Sequence, residues 1–198
     1  MGGNDKTMTR TRLLLVVGLA LLVFGAGQAF ASSITYTEQA TASGTIGTSS
    51  FFDVFVTITM VGDATNVIGG SGFFQNSGTM TIDIPGIGLA TFTGNTAVFD
   101  NQGAATVGMA DYTLGGSILD TVDGAFATYD LMTPIGPITN ASFYRPDLTY
   151  GTTLGGLNFT QMSDSTFTAS TVPEPSSLLL LGTGALGLAG LIRRKLNL

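Results

Sequence analysis

The middle of this 198-residue chain is predicted to fold as an all-β body, an antiparallel β-sandwich or a barrel-like sheet. Three observations predict it. Apolar and polar residues alternate at period two in short segments. Gly, Asn, Asp and Pro punctuate those segments. No long stretch of the body carries apolar residues at helical spacing. Thr, Val, Ile and Phe favour strands, and the scattered glycines would weaken any helix.

The alternation is clearest from Phe52. Phe52, Val54, Val56, Ile58 and Met60 fall on one face, and Asp53, Phe55, Thr57 and Thr59 on the other. Thr79 to Ile84 repeats the pattern, with Met80, Ile82 and Ile84 opposite Thr79, Thr81 and Asp83. Pro85-Gly86 then breaks it. Further strands are expected over 34–39, 89–93, 112–114, 126–131, 138–144, 154–160 and 165–170. Short strands at such spacing suit a sandwich or a barrel. The core draws on eleven phenylalanines, the thirteen of the chain less Phe24 and Phe30. One β-rich domain over 32–169 is expected, between a leader over 1–31 and a tail segment over 170–198.

The mean hydropathy of +0.41 is raised by two short runs, Leu13 to Phe24 and Leu178 to Ile192. Charge is as uneven. Of seven basic residues, Lys6, Arg10 and Arg12 precede the first run, and Arg193, Arg194 and Lys195 follow the second. Only Arg145 lies between them. The body sets Glu38 and ten Asp against it, a formal charge of 1 − 11 = −10. Such a body repels nucleic acid and anionic lipid, so no nucleic-acid partner is expected. The chain has no Cys, His or Trp. Disulfides, thiolate chemistry, Ser–His and Cys–His nucleophiles and His-based metal sites are excluded.

The first run follows a basic stretch and leads into Ala29-Phe30-Ala31. That order predicts a secretory signal peptide cleaved after Ala31, with Ser32 as the mature N-terminus. The run is short for a membrane span. Signal peptidase and the Sec machinery are the partners this segment implies.

The C-terminus has three parts: Val172-Pro173-Glu174-Pro175, an apolar helix-forming run from Leu178 to Ile192, and Arg193-Arg194-Lys195. Two prolines around Glu174 hold the backbone extended and open to a protease. The run is near the lower length limit of a transmembrane helix, and the basic cluster acts as a membrane stop on the cytoplasmic side. This tail resembles the PEP-CTERM sorting signal. The resemblance implies that Val172, Pro173, Glu174 and Pro175 are the recognition element of an exosortase, a membrane enzyme of Gram-negative bacteria. It further implies transit through the inner membrane, held there by the C-terminal helix, and then a place on the cell surface or outside the cell. Proteins with this tail are commonly associated with exopolysaccharide and biofilm, which makes exopolysaccharide a further candidate partner. Segments of the body such as Ala42 to Gly47 and Gly62 to Val67 are also similar to a group of such proteins, which implies no activity.

Little in the body points to catalysis. Gly69-Gly70-Ser71-Gly72 has no Lys and no strand-to-helix context, so it is read as a loop. The carboxylates are read as surface and turn residues, because Asp suits turns and is rarely buried. Asp100-Asn101 and Asp120-Thr121-Val122-Asp123-Gly124 are placed in turns whose oxygens suit a hard cation. Neither has EF-hand spacing, so no metal and no cofactor are expected. Tyr36, Tyr112, Tyr129, Tyr144 and Tyr150 show no cluster that would make a sugar platform. The expected role is that of a non-enzymatic exported structural or matrix protein, with a carbohydrate-binding module of the same matrix as the alternative.

Overall fold

The computed structural model describes residues 33–171. The predicted signal-peptide site at Ala29, Ala31 and Ser32 lies outside the described residues. So do the sorting element Val172, Pro173, Glu174 and Pro175 and the stop cluster Arg193, Arg194 and Lys195.

Fourteen strands are described: β1 (Ser33–Ile46), β2 (Ser49–Asp63), β3 (Ile68–Gly70), β4 (Phe73–Ser77), β5 (Met80–Ile84), β6 (Gly88–Thr91), β7 (Thr96–Asn101), β8 (Thr106–Asp111), β9 (Gly116–Val122), β10 (Ile135–Asn140), β11 (Ser142–Tyr144), β12 (Tyr150–Thr152), β13 (Gly155–Met162) and β14 (Ser165–Thr171). They form two antiparallel sheets. The first runs β10-β14-β1-β2-β5-β6, with β13 joining β1 to β12; the second runs β11-β9-β8-β7-β4-β3. Among the described residues no helix is long and apolar enough to cross a membrane.

Strand β1 organises the first sheet. Ile34, Tyr36, Glu38, Ala40 and Ala42 point into the core, and Ser33, Thr35, Thr37, Gln39 and Thr41 point out. Strand β2 pairs with it along nearly its full length. Its other edge is shared: β14 covers Ile34 to Gln39 and β13 covers Ala42 to Ile46. At the far end a bridge joins Phe92 to Thr152. Amides of Thr93 and Thr153 donate to the carbonyls of Gly151 and Thr91, each at 2.9 Å. The first sheet thereby nearly closes on itself, while its inner face packs on the second sheet. The all-β expectation holds, and the body combines both expected forms.

Where the segments differ from expectation, the causes are local. Alternation in β2 holds from Val54, but Phe52 is 80% exposed and Phe51 only 6%. A bulge intervenes, with Phe52 and Asp53 together facing Ser43. Asp53 takes φ 53°, and its amide donates to the Ser43 hydroxyl at 3.0 Å. One extra residue reverses which face each side chain meets. Residues 112–114 are a turn rather than a strand, because the Asp111 carboxylate accepts from the Thr113 amide. Residues 126–131 begin as a 3-10 turn capped by Asp123, which accepts from the Ala125 amide at 2.9 Å. Their apolar side chains still enter the core: Phe126 and Tyr129 pack on Phe167, which Tyr36 of β1 also meets. The expected strand over 138–144 divides at Ala141, with β10 in the first sheet and β11 in the second.

Candidate functional site

Several carboxylates lie where the sequence reading does not put them. Asp100 sits on β7 and Asp120 on β9, neither in a turn, and Asp111 ends β8. Exposures are 0% for Glu38 and Asp100, 1% for Asp111 and 5% for Asp120. The expectation that these carboxylates are surface or turn residues is therefore corrected for Asp100 and Asp120. Asp123 does cap a turn as expected.

Glu38 ties the sheets together. Its Oε1 accepts from the Thr121 hydroxyl at 2.9 Å, and that hydroxyl lies 2.6 Å from the Ser165 hydroxyl. Ser165 donates on to the Asp120 carbonyl at 3.1 Å. Strands β1 and β14 of one sheet thus meet β9 of the other through side chains. Burial, and then the charge of Asp120, push the Glu38 carboxyl well above the usual carboxylate range, against the pull of the Thr121 bond. The fold therefore favours the neutral acid. Asp120 lies on the opposite face of β9 over Gly108, where a Cβ would collide with its carboxylate. Ser117 donates to it, and burial raises it to about 7.

A second polar group lies under residues 129–131. Tyr36 donates its hydroxyl to the Leu131 carbonyl at 2.6 Å. The Asn76 amide nitrogen donates to the Tyr36 oxygen at 3.0 Å and to the Asp63 carbonyl at 3.1 Å. Gln102 donates to the Tyr129 carbonyl at 2.7 Å. Asn76 Oδ1 and both oxygens of Asp100 are buried without a partner, as is Glu38 Oε2. A buried acceptor left unsatisfied costs about 1–3 kcal/mol. Burial, and then the charge of Asp130, raise the Asp100 carboxyl to about 7. Among the described residues no three acidic, His or Cys side chains form a metal-binding group. Arg145, the one cation there, is held by both carboxylate oxygens of Asp147, at 2.9 and 2.7 Å.

The outer face of the first sheet is different in kind. Register places Thr168, Thr37, Thr59, Thr81 and Thr91 side by side, one from each of β14, β1, β2, β5 and β6. All five are half-buried. A parallel rank holds Thr139, Thr166, Gln39 and Thr57, then Asp83 and the exposed Leu89. Among the described residues, Thr81 alone of the first rank directs its hydroxyl to the protein, at 3.4 Å from the Thr59 carbonyl. The tyrosines offer no such surface: Tyr36, Tyr129 and Tyr150 are core residues. A cleft of about 380 Å³ between the β4–β5 and β6–β7 connections is lined by Ser77, Thr79, Phe92 and Asn95 among others, and by no ionisable side chain.

The sequence-predicted sorting element begins where the body ends. Strand β14 stops at Thr171, one residue before Val172. The model of the PEP-CTERM protein-sorting motif matches residues 171–195. This chain carries a PEP-CTERM sorting motif. The match spans Val172 to Pro175 and ends on Lys195, so it contains the three tail parts read from the sequence. The PEP-CTERM motif marks an exported protein that an exosortase processes and sorts to the cell surface. Comparison of the whole chain with curated proteins and with solved structures finds no match.

Proposed function

We propose that this protein is a non-enzymatic component of the extracellular matrix of a Gram-negative bacterium, held to neutral exopolysaccharide through the threonine face. Sec export and signal peptidase deliver it. The C-terminal helix holds it in the inner membrane until an exosortase acts at Pro173-Glu174-Pro175.

The rank of Thr168, Thr37, Thr59, Thr81 and Thr91 carries this reading. Neighbouring strands set such hydroxyls about 4.8 Å apart, and alternate residues along a strand about 6.8 Å apart. Each hydroxyl both donates and accepts, as do the hydroxyls of a sugar polymer. The rank is uncharged, and the body around it carries −10, which disfavours anionic polymers. The deep burial of Glu38 and Asp100 argues against carboxylate catalysis, because substrate needs contact with its acid and base. The absence of tyrosines from this face favours a matrix component over a dedicated sugar-binding module.

The test is sedimentation of the purified protein with insoluble exopolysaccharide from the producing cells. Wild type should co-sediment, and a triple Thr37→Val, Thr59→Val, Thr81→Val variant should lose most of its retention while staying folded. Equal retention of both proteins would remove this face from the account.

A further inference from the structure

We propose that Asp100, Asn76 and Asp130 form a buried site for a hard divalent cation, calcium in an exported protein. The sequence reading expects no metal, and the orphaned oxygens change that view.

Asn76 on β4 and Asp100 on β7 share the inner face of the second sheet. Asn76 pairs with Val98, and Asp100 with Phe74, so the two are diagonal neighbours. Val98 is a core residue, and Asp100 lies two positions further on the same strand. Diagonal neighbours stand about 7–8 Å apart, within reach of one bound ion. Both side chains are 0% exposed. Together they present three buried acceptor oxygens and no matching donor. The Asn76 nitrogen is already committed to Tyr36 and Asp63, which turns its oxygen away from them.

A proton on Asp100 turns one of its own oxygens into a donor, which can serve Asn76 Oδ1 but leaves the other Asp100 oxygen without a partner. A cation satisfies all three at once. Asp130 supplies a further carboxylate. One of its oxygens accepts from the Met132 amide at 3.0 Å, and the adjacent Leu131 carbonyl is tied through the Tyr36 hydroxyl to Asn76, which sets this segment beside the site. Among the described residues no cation balances these two acids, because Arg145 is held by Asp147. Tyr36 and Tyr129 are the other ionisable groups facing the site, and both are neutral phenols whose pKa is raised. Carboxylate and amide oxygens without sulfur or imidazole suit calcium rather than a transition metal.

The experiment uses the full chain purified from membranes, treated with EDTA, and then given calcium chloride. One ion per chain should bind by titration calorimetry, and the melting temperature should rise by about 5 °C or more at saturating ion. Asp130→Asn and Asp100→Asn should each weaken calcium binding at least tenfold, while Asp83→Asn, at an exposed position, should not. Asp130 is only partly buried, so its variant keeps the test decisive if Asp100→Asn fails to fold. A wild-type melting temperature indifferent to both EDTA and calcium would overturn the site. So would a calcium response that Asp83→Asn diminishes as much as Asp130→Asn does.

Discussion

Thr35 and Ser170 stand directly opposite each other on the outer face of β1 and β14. The neighbouring pair, Ile34 with Thr171, brings the start of the described body beside the residue where the sorting motif begins. The chain thus enters and leaves its body on adjacent strands, and the Pro-Glu-Pro element follows the last paired residue almost at once.

That register predicts a cross-link. Directly opposed residues have Cβ atoms about 4.5–5.5 Å apart, which a disulfide can span with little adjustment. Thr35→Cys with Ser170→Cys should oxidise readily in the exported protein. Thr35→Cys with Ala169→Cys should not, because Ala169 faces the core. Non-reducing electrophoresis after thiol blocking distinguishes them. Efficient bridging of the second pair would mean the strands are offset by one residue.

Asp120 predicts the direction of pH dependence. Its carboxyl rises from an ordinary 3.8 to about 7 in the fold through burial. The folded chain then holds a proton that the unfolded chain releases. This contribution to stability is fully present below about pH 4, declines as pH climbs from about 4 to 7, and is gone above that. The loss is roughly 2–4 kcal/mol at about 1.4 kcal/mol per unit. Glu38 acts in the same direction. Denaturation by urea at pH 5 and pH 8, with EDTA present to keep divalent ions out, should show the wild type weaker at pH 8. Asp120→Asn should narrow the gap, and Glu38→Gln should narrow it further while keeping an acceptor for Thr121. A wild type that gains stability between pH 5 and pH 8 would contradict this account of the buried acids.

Much of the first sheet is legible in the sequence because one of its faces meets water. Strands β1, β2, β5 and β14 alternate, and Met80, Ile82 and Ile84 are buried as their spacing implies. The second sheet is far less so. Strands β7, β8 and β9 are buried on both faces, and Ala97, Gly108, Ala110 and Asp120 break any apolar period. The buried acids were hidden for a related reason. Asp111 and Asp123 do start turns, so the local rule for Asp works there. Nothing beside Asp100 or Asp120 in sequence signals burial, because Asn76 and Gly108 reach them only through strand pairing. The threonine rank is likewise invisible until register aligns five separate strands. The sorting motif was readable because all its parts lie together in one stretch of chain.

The most direct test of the account concerns that motif. On the proposed route, the positive-inside rule would keep the basic clusters at 6–12 and 193–195 cytoplasmic in the precursor, with the acidic body outside and Pro173-Glu174-Pro175 just beyond the membrane. Cells expressing wild type or Glu174→Ala are fractionated, and the size and location of the protein are compared by immunoblot. The account predicts that wild type leaves the inner membrane in a shortened form, while Glu174→Ala is exported but stays there at the size that retains its tail. If both proteins are shortened and leave the membrane equally, Glu174 is not part of a sorting signal and release proceeds by another route.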